Sequence, residues 1–230
     1  TETLKERNIV YCGTDTKIHS TAELAWMLIM NSWRGLQTEI ENMKNGNWQT
    51  TVGRGLKGNT LGIFGLGKQG LQVANFGKAF GMRIIAWSHN LKKEDCEKAN
   101  VEYVSSSDLF KMSDILTIHT RLSERTQGYI NKDKLKLMKK ESVIVNTSRG
   151  PIIKEQDLID ALNQKTISYA ALDVFDQEPL PAEHILRKTK NTILTPHIGY
   201  VSVEAYEKFF NGYLKAIEAF LNGEAINQII

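Results

Sequence analysis

Cysteine is scarce: Cys12 and Cys96 are the two in 230 residues. They lie far apart and fit no metal-ligand or redox spacing, so both read as free thiols and no metal is expected. An excess of one charge is also missing. Lys and Arg number 29 against 26 Asp and Glu, a net charge of +3, and the charges are scattered. That pattern argues against nucleic acid or a membrane surface as partner. No apolar run approaches the ~20 residues needed to span a bilayer. No signal-peptide pattern opens the chain, so a cytoplasmic protein is expected. Internal repeats and low-complexity stretches are absent as well. What is present is an ordinary globular composition, 41% hydrophobic and 24% charged, enough for one large domain or two small ones. The first residue, Thr1, falls within what reads as an apolar segment, as expected of a fragment of a longer protein.

From Leu61 onward, short β-branched runs alternate with helical or polar stretches. Strands are expected at Leu61–Leu66, Met82–Trp87, Val101–Val104, Ile115–His119, Val143–Asn146, Tyr169–Val174 and Thr192–Leu194. Several are apolar almost throughout, as strands buried on both faces are. Such alternation predicts an α/β fold, a parallel sheet with helices on both sides. Ahead of it, Ser20 and Glu23 read as a capping box at a helix start. Leu24 to Met30 is apolar on all sides, which predicts a helix buried all round, and Asn45-Gly46-Asn47 reads as its end. A last helix, about Val203 to Leu221, carries Tyr206, Phe209, Phe210, Tyr213, Ile217, Phe220 and Leu221 on one stripe, with Asn222-Gly223 as its stop.

The segment Leu61-Gly62-Ile63-Phe64-Gly65-Leu66-Gly67-Lys68-Gln69-Gly70 ends a strand and opens a helix. Gly65, Gly67 and Gly70 supply the GxGxxG spacing, and Lys68 and Gln69 lie between the last two. The first glycine permits a tight turn, the second a close approach to a pyrophosphate, and the third close helix–strand packing. The helix N-terminus offers N–H groups and a positive dipole end to phosphates. Strand–turn–helix is the setting that gives this otherwise weak motif meaning. A carboxylate ~20 residues further on would bind the ribose of NAD. Here the second strand ends in Ser88, His89 and Asn90, with Lys92 and Lys93 beyond. Nothing there repels a 2′-phosphate, so NAD and NADP both remain open, with a lean away from strict NAD dependence. The two lysines also fit a solvated helix start.

Three later segments each place a reactive side chain just past a strand. They are Arg149 after Val143–Asn146, Glu178 after Tyr169–Val174, and His197 after Thr192–Leu194. In an open α/β sheet ligands bind at the carboxyl ends of the strands, so all three are expected around one crevice. Taken singly, Arg149 fits a surface salt bridge and Glu178 a loop carboxylate. His119 reads as a structural histidine, and His19, His89 and His184 as exposed or loop residues, although His89 falls within the ribose segment.

GLGKQG, VNTSRG, ALDVFDQEP and TPHIG, in this order between about Thr21 and Tyr200, resemble the D-isomer-specific 2-hydroxyacid dehydrogenase family. The resemblance implies a Rossmann-type, doubly wound, three-layer sheet with remnants of a second, smaller lobe. Residues 1–15 would be a remnant of the substrate lobe, with Ile9–Cys12 as a strand. Residues 16–201 would be the dinucleotide-binding domain, and residues 202–230 a helix returning to the substrate lobe. The implied activity is hydride transfer between NAD or NADP and a 2-oxoacid or D-2-hydroxyacid. Arg149 would hold the substrate, His197 would be the acid/base, and Glu178 would pair with it. Asp173 would face the nicotinamide carboxamide, and Thr147 joins the cofactor-binding set. The chemistry agrees. A planar guanidinium matches a carboxylate beside a carbonyl, and a histidine titrates near working pH. Gln69, Arg121 and Lys154 depart from the family's usual pattern without touching these roles. The resemblance also implies a homodimer through helix 21–44. A dinucleotide-sensing corepressor is the alternative. Formate dehydrogenase is disfavoured because those enzymes carry glutamine where Glu178 stands.

Overall fold

The computed structural model describes residues 2–14 and 19–229. Helix α1 (Glu2–Glu6) comes first, then α2 (Ser20–Arg34) and α3 (Leu36–Lys44). Strands and helices then alternate through β1 (Thr60–Phe64), α4 (Lys68–Ala79), β2 (Arg83–Trp87), α5 (Lys93–Lys98), β3 (Glu102–Tyr103), α6 (Ser106–Met112), β4 (Ile115–Ile118), α7 (Lys132–Leu137), β5 (Val143–Asn146), α8 (Glu155–Asn163), β6 (Tyr169–Leu172) and β7 (Thr192–Leu194). Helix α9 (Val203–Leu221) follows. The chain forms two compact units, Thr21–Gly199 and Thr1–Ser20 with Tyr200–Ile230.

In the larger unit seven strands form one sheet in the order β3-β2-β1-β4-β5-β6-β7, and every pairing is parallel. The order reverses between β1 and β4, the switch point of a Rossmann fold. All seven strands lie where the apolar runs were read. Burial on both faces explains why those runs barely alternate. Leu61, Ile63, Ile84, Ala86, Ile115, Val143 and Val145 face one layer, with α2, α4 and α5 packed on them. Phe64, Ile85, Leu116, Ile118 and Ile144 face the other, under α6, α7 and α8. The result is three layers with a core on each side of the sheet.

Three expectations about the early helical segment need correction. The helix read as continuous to Asn45 is two helices, because Gly35 between them adopts a left-handed φ of 64°, which interrupts a right-handed helix. Nor is Leu24–Met30 buried on all sides. Leu24, Ala25, Trp26, Leu28 and Ile29 are buried, but Met27 is 58% and Met30 37% exposed, on the side away from the sheet. The capping box does not form either. Ser20 is already helical, its hydroxyl has no partner among the described residues, and a capping side chain must stand outside the helix in extended backbone.

In the smaller unit α9 starts at Ser202, whose hydroxyl accepts from the Ala205 N–H at 3.2 Å. It stops at Asn222-Gly223, with Gly223 at φ 81°. Ala205 is its buried residue, while Tyr206, Phe210, Tyr213, Ile217 and Phe220 are exposed. Of the strand expected at Ile9–Cys12, a single bridge from Cys12 to Gln228 forms.

Candidate active site

Because every strand runs the same way, all the turns that follow them open on one edge of the sheet. After β1, Gly65 has φ +104°, and a Cβ there would stand 2.8 Å from the His119 carbonyl carbon. A Cβ on Gly70 would lie 2.1 Å from the Gly65 carbonyl oxygen, so only glycine lets α4 begin this close to β1. Gly67 is different: a Cβ there would meet nothing within 4 Å. It is the N-cap of α4, no side chain caps that end, and Lys68 and Gln69 form the first turn. The helix therefore presents a polarised N-terminus toward open space.

After β2, Ser88 is half-buried and His89 and Asn90 are exposed. Trp87 stacks with Phe64 at 5.6 Å and with Tyr129 at 5.5 Å between ring centroids. The His89 ring packs on Trp87 at 4.9 Å and edge-on to Tyr129 at 5.0 Å. Partial burial, and then the positive charge of Arg125, hold the His89 pKa below its usual value. Arg125 comes from the loop after β4, and its Nη2 donates to Asn90 Oδ1 at 3.3 Å. Sequence reading missed Arg125, since it is separated by 35 residues from Asn90 and belongs to no local motif.

After β5 the chain turns sharply. Asn146 Oδ1 accepts from Ser148 N–H at 3.0 Å, and its Nδ2 donates to the Arg149 carbonyl at 2.9 Å. The Ser148 hydroxyl bonds the Thr120 carbonyl, which joins this turn to the one after β4. Thr147 is buried, and its hydroxyl has no hydrogen-bond partner among the described residues. Arg149 is exposed, with Nη1 donating to the Ser148 carbonyl at 2.6 Å.

Glu178 and His197 meet across the turns after β6 and β7. Glu178 Oε1 accepts from the Phe175 N–H at 2.9 Å, and Oε2 lies 2.6 Å from His197 Nδ1. Burial raises the Glu178 pKa, but the bonds from His197 and Phe175 and the charges of His197 and Arg149 outweigh it, so the carboxyl sits below its usual range. It is therefore a carboxylate at neutral pH. A carboxylate only accepts, so Nδ1 carries the shared hydrogen. His197 itself has φ +54°, a left-handed conformation that costs a non-glycine residue ~1–3 kcal/mol unless its surroundings impose it. Asp173 imposes it. This fully buried carboxylate takes Thr195 Oγ1 at 2.5 Å and Ile198 N–H at 2.9 Å on Oδ1, and Gly199 N–H at 2.9 Å on Oδ2. Asp173 thus clamps the loop that carries His197, and Thr195, which sequence reading passed over, is part of the clamp.

His119 and His184 have structural settings. His119 Nε2 lies 2.9 Å from Thr117 Oγ1, and burial pulls its pKa down to about 4. His184 is less exposed than its loop setting suggested. Its Nδ1 accepts from Leu186 N–H at 3.3 Å, and its Nε2 lies 3.2 Å from Glu155.

Residues 26–199 match the family model described as "D-isomer specific 2-hydroxyacid dehydrogenase, NAD binding domain". The chain is 39% identical over 214 residues to a glyoxylate reductase of Aeropyrum pernix, covering 89% of this chain and 64% of that one. It is 36% identical over 225 residues to a D-3-phosphoglycerate dehydrogenase of Methanocaldococcus jannaschii, covering 96% of this chain and 43% of that one. The chain spans less than two thirds of the length of either relative. A crystal structure of a phosphoglycerate oxidoreductase from Vibrio cholerae superposes with a TM-score of 0.87 at 33% identity, covering 96% of this chain and 72% of that one.

Proposed function

This chain belongs to the D-isomer-specific 2-hydroxyacid dehydrogenase family, and on that premise we propose that it serves an oxidoreductase moving hydride between a nicotinamide dinucleotide and a 2-oxoacid or D-2-hydroxyacid. One observation carries the reading. A Glu178–His197 pair at 2.6 Å, with Arg149 acting on the same carboxylate, stands at the sheet edge that also holds the open glycine turn. A corepressor has no need of that pair.

The residues fit the cofactor. Open space at Gly67, an α4 N-terminus without a side-chain cap and a buried, unpartnered Thr147 hydroxyl are what a pyrophosphate and its neighbouring groups would satisfy. Gly65, Gly67, Lys68, Gln69 and Gly70 would hold the pyrophosphate. Ser88, His89 and Asn90 would hold the ribose, and Thr147 and Asp173 would border the nicotinamide. When bound, the cofactor supplies or accepts the hydride at the substrate's C2. Arg149 binds the carboxylate and polarises the adjacent carbonyl through its planar fork. His197 gives a proton to the carbonyl oxygen during reduction and takes it back during oxidation. Since Glu178 holds Nδ1, the exchanging nitrogen is Nε2. The substrate class is a short 2-oxoacid or its 2-hydroxyacid, as in the relatives named for glyoxylate and for phosphoglycerate.

Two assembly features belong to the same proposal. Met27, Met30, Ile40 and Met43 are exposed on α2 and α3, which supports pairing of two copies through helix 21–44. The exposed aromatic stripe of α9 supports assigning residues 1–15 and 202–230 to a second, smaller lobe, leaving 16–201 as the dinucleotide domain. No helix among the described residues is long and apolar enough to cross a membrane, and we place the protein in the cytoplasm. The test is kinetic and uses the full protein. His197→Ala should lose ~10²–10⁴-fold in kcat with cofactor affinity nearly unchanged, and Arg149→Ala should also raise KM for the oxoacid. Near-normal turnover by His197→Ala would remove this histidine from the mechanism.

A further inference from the structure

We propose that Arg125 is the residue that reads the 2′-phosphate of NADP, completing with Ser88, His89 and Asn90 an anion site at the end of β2. The proposal rests on the dinucleotide reading above and assigns it a cofactor.

The location comes from topology. In a Rossmann fold the ribose lies beyond the end of the second strand, where a carboxylate selects NAD or a nearby arginine accommodates the phosphate of NADP. Residues 88–93 read Ser-His-Asn-Leu-Lys-Lys and contain no carboxylate. The missing group is replaced by a cation from elsewhere in the chain. Arg125 reaches Asn90 from the neighbouring loop after β4, and its charge is felt at His89.

Arg125 is held in place from below. Thr126 is buried, and its hydroxyl accepts from the Ser123 N–H at 2.8 Å and bonds the Arg121 carbonyl at 2.7 Å. That staple fixes the turn on which Arg125 stands. On the other side, Trp87, Tyr129 and His89 pack together and fix the end of β2. The turn that carries Arg125 and the Ser88–Asn90 segment are thus each anchored, and they stand side by side.

Its present contact is weak. The bond to Asn90 is neutral on the acceptor side, 3.3 Å long and exposed. Arg125 forms no ion pair among the described residues. Of the acidic residues that follow this segment in the chain, Glu94 and Asp95 sit in the first turn of α5, and Glu97 lies 3.8 Å from Lys93. Glu124 adjoins Arg125 in sequence without an ion pair between them. A phosphate dianion would give the guanidinium a two-pronged, charge-assisted acceptor that Asn90 cannot, while the Ser88 hydroxyl and the Asn90 amide can donate to the remaining oxygens.

The experiment uses the full chain and four probes in calorimetry: NADPH, NADH, adenosine 2′,5′-bisphosphate and 5′-AMP. The members of each pair differ in the 2′-phosphate. The unmutated protein should bind each 2′-phosphorylated probe more tightly than its partner. Arg125→Ala should weaken those two by about 10–100-fold, the worth of charge-assisted hydrogen bonds. Binding of NADH and 5′-AMP should hold within a few-fold, which also reports an intact fold. Arg125→Lys should recover part of the loss, and Arg125→Glu should reverse the preference. Equal weakening of both members of each pair, or an unmutated protein that prefers NADH and 5′-AMP, would overturn the assignment while leaving the dinucleotide reading intact. If none of the four binds the unmutated protein, the dinucleotide reading fails and this proposal with it.

Discussion

Asp173 gives the sharpest test of how the site is held together. Its carboxylate has no exposed surface and accepts three hydrogen bonds, from Thr195 Oγ1, Ile198 N–H and Gly199 N–H. Asp173→Ala leaves those three donors without an acceptor. Each orphaned buried donor costs ~1–3 kcal/mol. Ile198 is half-buried, so water can reach part of the loop, and the lower end of the sum applies, about 3–5 kcal/mol. For a domain of ~150–250 residues each kcal/mol moves Tm by about 2–4 °C, so the expected drop is roughly 6–20 °C. Asp173→Asn should fall between wild type and alanine. Its amide keeps one oxygen for Thr195 and Ile198 but turns an N–H toward the Gly199 N–H.

The second consequence is catalytic. His197 sits at φ +54°, and once the clamp is gone its backbone can relax by ~1–3 kcal/mol, taking the ring away from Glu178. Turnover should fall even with saturating cofactor. The decisive measurement is calorimetric or circular-dichroism melting of the cofactor-free protein. If Asp173 acted solely on the nicotinamide, the apo protein would melt at the wild-type temperature. A shift below about 1 °C for Asp173→Ala, under half a kcal/mol on the same scale, would refute the clamp.

Three further outcomes follow from the same geometry. Gly67→Val fills the open space before α4 and should abolish dinucleotide binding in calorimetry without lowering Tm, and unchanged affinity would place the pyrophosphate elsewhere. Glu178 has a folded-state pKa below its unfolded one. Its contribution to stability is therefore present above the ordinary carboxylate pKa and is lost as pH falls through the lower folded value. Melting curves of Glu178→Gln should lack that acid-side loss, and identical pH dependence in the two proteins would contradict the pairing. His119 has a pKa near 4, so its ring resonances should not titrate between about pH 5 and 8. Stability should also drop as pH falls from about 6.5 toward 4, because only the unfolded chain takes up that proton in this window. A midpoint near 6.5 in NMR titration would show the ring to be solvated.

The sheet was legible because its signals are local and redundant. Each strand is a short apolar run bounded by polar residues, and the glycine motif marks the first strand–helix junction by itself. The edge that gathers Arg149, Glu178 and His197 was legible for a topological reason. Once the strands are parallel, residues just past each strand share one side of the sheet, whatever their side chains do. The failures have a different character. Gly35 is one glycine inside a helical pattern, and nothing nearby tells whether it will bend backward or stay helical. Ser20 and Glu23 have capping-box spacing, but the box needs Ser20 outside the helix, and one residue of slippage removes it. Met27 and Met30 look as apolar as Leu28 and Ile29, so composition could not say which side of α2 faces outward.

The deepest gap concerns polar partners. A side chain's type was readable from the chain, but what it bonds to was not, because the partner arrives from a distant segment. Asp173 shows this most plainly. From its motif it read as a cofactor contact, a role that uses an outward-facing oxygen. The folded chain instead spends Oδ1 on two donors and Oδ2 on a third, all from the loop around His197 and 22 to 26 residues away. Oδ2 retains one lone-pair direction, and because Asp173 has no exposed surface a nicotinamide carboxamide would reach it only with a shift of the loop around His197. A clamp and a cofactor contact on the same carboxylate would couple dinucleotide binding to the position of His197. In that case saturating cofactor should widen the Tm gap between Asp173→Asn and wild type, since it binds the wild type more tightly and stabilises it more, and an unchanged gap would show that Asp173 acts on the loop alone.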